Sequence, residues 1–246
     1  MEQFDKRALE FLHESNAIED ITSIDYTLAA NCQPGRGHAG AFLDSQEMAR
    51  KRQPLTVEDL CRWQRMLCEE QLQLGVEMPY QVRAGDHIAP SFDEAPAKVE
   101  TLVTELNQRL KPLSRYVDVQ LAVELVGDFF QRFEAIHPFV DGNGRTGRLL
   151  ANYIMTYCGY PIFVFRASER ASFYPAHRSK LAMRCFMADK IRECVLTLDG
   201  QLLERTAYHG AADSYGKDRQ LLVEWHELIS EQEEWRAQDA KKERGK

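Results

Sequence analysis

The run His137-Pro138-Phe139-Val140-Asp141-Gly142-Asn143-Gly144-Arg145-Thr146-Gly147-Arg148 places an imidazole, a carboxylate, two glycines flanking an asparagine, and two arginines three apart within twelve residues. An imidazole with an ordinary pKa of about 6.5 can take a proton from a hydroxyl at neutral pH. Asp141 offers a hard oxygen donor, and a carboxylate beside a phosphate needs a cation between them, for which Mg²⁺ is the usual choice. Gly142 and Gly144 lack a Cβ, so the loop can turn sharply and bring its backbone close to a ligand. Arg145 and Arg148, one helical turn apart, carry planar forks that match phosphate oxygens. The chemistry this implies is phosphoryl or nucleotidyl transfer to a hydroxyl. Taken singly, each feature has an ordinary explanation: a helix-end histidine, a turn, a solvated helix face. Their coincidence in one register makes a candidate site.

Two helices must hold that run. Across Val117 to Ile136, Leu121, Leu125, Phe129 and Phe133 recur every four residues with Glu124, Asp128 and Gln131 between them, the spacing of an amphipathic helix that ends at His137. Leu149, Leu150, Tyr153, Ile154 and Tyr157 predict a second helix beginning near Asn143 or Gly144. Its first turn would present unpaired N–H groups and the positive end of the helix dipole, which suits an anion.

The stretch resembles the Fic family motif His-Pro-Phe-x-Asp/Glu-Gly-Asn-Gly-Arg-x-x-Arg and fills each of its fixed positions. The resemblance implies an all-α fold, a Fic helical bundle with a small β-hairpin flap, whose enzymes move AMP from Mg²⁺-ATP onto a Ser, Thr or Tyr hydroxyl of a target protein. It implies His137 as general base and Asp141 as the residue holding Mg²⁺ against the α- and β-phosphates. Gly142, Asn143 and Gly144 would form the anion hole, with Arg145 and Arg148 on the β- and γ-phosphates. Doc-like kinases and phosphocholine-transferring relatives carry Ala where Gly142 stands, so Gly142 favours AMP transfer.

Asp5 to about Ala30 has Leu9, Leu12, Ile18, Ile21 and Leu28 near helical spacing and contains Ser15-Asn16-Ala17-Ile18-Glu19-Asp20. By themselves Ser15 and Glu19 are ordinary polar residues of a helix surface. Beside the Fic motif the run resembles the family's inhibitory helix, Ser/Thr-x-x-x-Glu-Gly/Asn, which implies that Glu19 pairs with Arg148 and denies it to the γ-phosphate. Asp20 departs from the Gly or Asn of that pattern, and Asp adopts a left-handed backbone less readily than Gly. An exposed ion pair is worth up to about 1 kcal/mol, roughly fivefold in an equilibrium. Strong repression therefore requires a buried pair or steric blocking.

Gln33 to Gly40 reads as a loop, and Thr56 with Asp59 opens a helix through about Leu74, with Leu60, Trp63, Leu67 and Leu74 as its apolar stripe. Trp63 is expected in the core. Met78 to Pro90 alternates Tyr80 and Val82 with Gln81 and Arg83 around a turn at Ala84-Gly85-Asp86, a short hairpin or an irregular connector. The resemblance implies the Fic flap, which grips an extended segment of the target by main-chain pairing. Pro96 opens a helix to Leu110, and Pro161 to Phe165 is a brief apolar run. Of the pair Phe173-Tyr174, Tyr174 is either a core residue or, by resemblance, part of an adenine sandwich. A long amphipathic segment follows through Val195. After Leu203 come a polar stretch, a loop at Gly210 to Gly216, a short helix at Leu221 to Trp235 and a charged tail. That end is a solvated tail or a dimer-contact helix, which leaves a homo-oligomer open.

The chain has 246 residues, 44% hydrophobic and 28% charged, enough for one domain with a sizeable core. The expected division is an N-terminal helix with the inhibitory motif at 1–30, a catalytic core at 31–200, and a C-terminal helix and tail at 201–246. With 31 basic and 38 acidic residues the net charge is −7, which argues against nucleic acid as partner. No stretch reaches the roughly 18 apolar residues of a membrane span, and the first residues do not read as a signal peptide, so a cytoplasmic location is expected. The cysteines at 32, 61, 68, 158, 185 and 194 form no Cys-x-x-Cys pair and read as reduced core thiols. ATP and a hydroxyl-bearing protein are the expected partners. The alternatives are removal of AMP with Glu19 aligning a water, transfer of GMP or UMP, and a non-catalytic binding module.

Overall fold

The computed structural model describes residues 6–21, 37–68, 83–84, 87–114, 117–191 and 193. In chain order they form α1 (Lys6–Ala17), α2 (Gly37–Arg50), α3 (Val57–Leu67), strands β1 (Arg83–Ala84) and β2 (His87–Ile88), α4 (Ala95–Leu110), α5 (Val119–Ile136), α6 (Asn143–Tyr157), a 3-10 turn (Ala167–Glu169) and α7 (Arg170–Ala176). A further helix spans residues 180–191. The architecture is all-α, and no helix among the described residues is long and apolar enough to cross a membrane.

The helix after the His137 run is the centre of the bundle: α2, α3 and α5 all pack against α6. Leu149, Leu150, Ala151, Tyr153 and Ile154 lose essentially all contact with solvent. Burial on consecutive positions marks a core helix rather than a surface one, and each large side chain contributes about 1.5–3 kcal/mol. The start of α6 is therefore anchored by the core behind it. Asp118 caps α5 by accepting from Leu121 N at 3.2 Å. Thr56 and Asp59 close a reciprocal capping box on α3, Thr56 N donating to Asp59 Oδ2 at 2.8 Å and Asp59 N to Thr56 Oγ1 at 3.1 Å. Trp63 is fully buried, and its indole N–H donates to Asp44 Oδ2 at 2.7 Å.

Three boundaries differ from the spacing-based expectation. The first helix stops at Ala17, because Asp20 takes a left-handed backbone (φ 57°) and the amides of Glu19 and Ile21 turn back onto Asn16 O. The stretch from Gly37 to Gly40, expected as loop, opens α2: Gly37 takes φ 64°, and Ala39, Gly40, Ala41 and Phe42 are buried behind it. Small residues buried in succession leave no polar face, so no period of 3.6 was there to read. The third boundary is the end of α3, at Leu67 rather than Leu74. Between β1 and β2 a two-residue antiparallel ladder pairs Arg83 with Ile88 and Ala84 with His87. The expected helix at 221–235, the loop at 210–216, Cys32 and Cys194 lie outside the described residues; Cys61, Cys68, Cys158 and Cys185 are free thiols.

Polar contacts to the segment after α6 hold α1 down. Arg7 donates to Ile162 O, Glu10 pairs with Arg166 at 2.8 Å, and Glu14 Oε2 accepts from Ala167 N at 2.8 Å. Beneath that segment Phe163, Phe165, Phe173 and Phe186 form an aromatic cluster with Phe130 of α5.

Candidate functional site

The loop between α5 and α6 is folded by its own side chains. His137 ends α5 in a left-handed conformation (φ 49°, ψ 58°), its amide still donating to Phe133 O at 3.0 Å. Asn143 then locks the loop: its Oδ1 accepts from Phe139 N at 2.9 Å and its Nδ2 donates to Phe139 O at 2.6 Å. Sequence reasoning assigned Asn143 to an anion hole; its side chain is committed to shaping the loop, so only its backbone can serve an anion. Gly142 takes φ 80°, and a Cβ there would stand 2.8 Å from Cys68 Sγ, so glycine is required twice over.

Two arginines leave the first turns of α6 in different directions. Arg145, 8% exposed, runs toward the end of α3, where Nη1 donates to Leu67 O at 3.4 Å and Nη2 lies 3.5 Å from Asp141 Oδ2 and 3.7 Å from Cys68 Sγ. These contacts are long, and its Nε is buried without a hydrogen-bond partner among the described residues. Gln64 of α3 holds the loop from the same side, donating to Asp141 O at 3.2 Å. Burial pushes the Cys68 thiol up, which keeps it protonated beside Asp141. Gln64 and Cys68 belong to the site and escaped the sequence reading; only their place near the end of a helix of unknown partner could have pointed to them.

Arg148 is 1% exposed and turns toward α1. Its Nε donates to Ser15 Oγ at 2.9 Å, and its Nη2 donates to Ser15 O at 2.7 Å and to Glu19 Oε1 at 2.8 Å. The Glu19 carboxylate lies directly over Gly144: a Cβ on that glycine would overlap Oε1 and stand 3.0 Å from Arg148 Nη1. An acidic side chain thus occupies the position at the start of α6 where backbone amides and a guanidinium favour an anion.

The turn that presents Glu19 has its own holder. Arg170 Nη2 donates to Ala17 O at 2.6 Å, to Ile18 O, and to Asp20 Oδ1 at 2.8 Å. Asp20 thus adopts the left-handed backbone at the position where the inhibitory pattern has Gly or Asn, and an arginine anchors its carboxylate. Behind the turn, Asn16 Oδ1 lies 3.1 Å from Nδ1 of His38, a buried imidazole driven well below its usual range by burial and then by Arg148 and Arg145. Tyr174 is 53% exposed while Phe173 is buried, so of the pair it is Tyr174 that faces outward. Burial, and after it the charge of Glu19, push its hydroxyl up.

Asp141, 65% exposed, is the carboxylate available to a metal, one of its oxygens already accepting from Gly142 N at 2.7 Å. Among the described residues no group of three or more His, Cys, Asp or Glu could hold an ion. One accessible carboxylate beside an anion site fits Mg²⁺ whose remaining ligands are phosphate oxygens and water.

Residues 54–155 match the Fic/DOC family. The chain is 28% identical over 165 residues to the protein adenylyltransferase Fic of Nematostella vectensis, an alignment covering 65% of this chain and 37% of that protein. It is 34% identical over 102 residues to the protein adenylyltransferase Fic of Drosophila melanogaster, covering 42% and 19% respectively. The chain therefore spans well under half the length of these curated relatives. Among solved structures, a Fic domain containing signaling protein from Bacteroides thetaiotaomicron superposes with a TM-score of 0.62 at 23% identity, over 78% of this chain and 86% of that one. Fic-1 from C. elegans gives 0.57 at 16% identity, over 80% and 65%. The loop locked by Asn143, the glycine-lined start of α6 and the two arginines lie within the matched stretch: this chain carries, across residues 54–155, a Fic/DOC family domain.

Proposed function

We propose that the chain is a protein adenylyltransferase, moving AMP from Mg²⁺-ATP to a Ser, Thr or Tyr hydroxyl of a target protein, and that Glu19 inhibits it in cis. The observation that carries this reading is the carboxylate of Glu19 lying over Gly144 and on Arg148, where a nucleotide phosphate would bind. The names of the curated relatives support the reaction class.

In this reading His137 accepts the proton of the target hydroxyl, whose oxygen attacks the α-phosphorus; the new P–O bond forms as the bond to the β-phosphate breaks, and pyrophosphate leaves. Amides at Asn143 and Gly144, at the positive end of α6, and that of Gly142 once it leaves Asp141 Oδ1, stabilise the charge that develops on the phosphate oxygens. Arg145, whose existing contacts are long, turns onto the β-phosphate, and Arg148 onto the γ-phosphate once Glu19 is gone. Asp141 would hold Mg²⁺, which would supply positive charge to the phosphates. Tyr174, exposed near Glu19, offers a ring to the adenine. The β1–β2 ladder carries the backbone pairing that aligns an extended target segment.

The test compares transfer from α-labelled ATP by the wild type, Glu19→Gly, and Glu19→Gly with His137→Ala. Glu19→Gly is expected to label protein faster than wild type, and His137→Ala to remove at least ~10²–10⁴ of that rate. Equal labelling by wild type and Glu19→Gly would remove the autoinhibition. No labelling by Glu19→Gly at all would remove the transferase.

A further inference from the structure

Glu134 stands on α5 one turn before His137 and has no part in the reaction above. Its Oε1 is sealed from solvent and has no hydrogen-bond partner among the described residues. The carboxyl rests on Gly147, where any Cβ would overlap Oε1 and stand 3.2 Å from Phe130 Cε2. Gly147, the last of the three variable positions of the His137–Arg148 run, thus makes the slot into which α5 inserts an acid. Burial pushes that acid up to about 7; Arg148 from α6 pulls it down and Glu19 from the turn after α1 pushes it further up. On the α7 side, His177 lies against Phe130.

Coupling between two charges is reciprocal. If Glu19 disfavours ionisation of Glu134, the departure of Glu19 favours it. The same departure takes the Glu19 carboxylate from Arg148 and leaves it only the neutral Ser15 acceptors, so a buried guanidinium is left in need of a counter-charge. We propose that Glu134 is a positioning residue for Arg148: uncharged while Glu19 occupies the guanidinium, ionised and paired with it once Glu19 leaves, so that the fork stays aimed at the nucleotide. This rests on the reading of Arg148 as a phosphate ligand.

Three full-length proteins test it: wild type, Glu19→Gly, and Glu19→Gly with Glu134→Gln, an isosteric change whose folding is checked by its melting temperature. With carboxyl-¹³C glutamate, Glu134 is expected to titrate near its raised value of about 7 in the wild type and at lower pH in Glu19→Gly. Equal midpoints overturn the proposal. By calorimetry with Mg²⁺-ATP, adding Glu134→Gln to Glu19→Gly is expected to weaken binding about tenfold above pH 7. The gap should close as pH falls below the Glu134 midpoint, because a protonated glutamic acid and glutamine carry the same charge. Turnover at saturating ATP should change less than about twofold. Affinities within about twofold at every pH, or a loss of turnover with affinity unchanged, overturn the proposal. A Glu19→Gly protein that binds ATP no better than wild type defeats the reading of Arg148 instead, and the carboxyl midpoints still decide whether Glu134 and Glu19 are coupled.

Discussion

Arg145 and Arg148 leave the same helix one turn apart, yet their environments are opposite. Arg145 has contacts of 3.4–3.7 Å and a buried Nε without a partner among the described residues. Arg148 has three contacts of 2.7–2.9 Å, all to Ser15 and Glu19. Hydrogen bonds weaken steeply at the longer distances, so one guanidinium is available to a ligand and the other is already occupied. The N-terminal turn therefore holds one of the two guanidinium groups and leaves the other loosely held. Under the proposed function, inhibition of that form would remove one phosphate contact and fill one position while leaving the remainder of the site assembled.

The largest expected effect is loss of the base: His137→Ala should abolish labelling whichever arginine is occupied, and a variant that retained it would dissolve the comparison by removing the reaction. Next, Arg148→Ala should lower stability by about 2 kcal/mol, since it leaves the Ser15 and Glu19 acceptors without their donor, whereas Arg145→Ala should cost under about 1 kcal/mol. Urea denaturation measures both, and equal losses would break the contrast. Weaker nucleotide binding is expected from each in the Glu19→Gly background. Smaller still, Asp20→Ala should raise wild-type labelling by no more than about fivefold, because the pair with Arg170 is exposed. A rise beyond tenfold would make that pair the principal restraint on Glu19.

A further effect is on pH. Glu134 has its folded value raised above the usual carboxylate range. Its contribution to stability is fully present below the unfolded pKa and is lost as pH rises through about 7. Thermal unfolding of Glu134→Gln should therefore match wild type at low pH and lie above it near pH 8, and the reverse order would show that the fold lowers the Glu134 value instead of raising it.

The helix spacing and the motif made α4, α5, α6 and the His137 loop legible, because those elements are long, periodic and bounded by a proline, an aspartate cap and glycines. The contact of Glu19 with Arg148 was legible only through its family likeness, since 129 residues separate the partners. What stayed hidden was hidden for physical reasons. α2 buries small residues in succession and shows no stripe. Asn143 is used by its side chain, which spacing cannot reveal. Gln64, Cys68 and Arg170 meet the site from elements distant in sequence, and each of them, like Glu134 one turn before His137, is an unremarkable residue on its own helix.

The missing Cβ at Gly144 links inhibitor and substrate in a way that constrains how this chain can change. The notch that admits the Glu19 carboxylate is also where phosphate would approach, so Gly144→Ala would exclude both tenants together. If the chain is the transferase proposed above, mutations that release it from its own restraint are thereby confined to the N-terminal turn and its holders, where a lost contact would leave the nucleotide's berth intact.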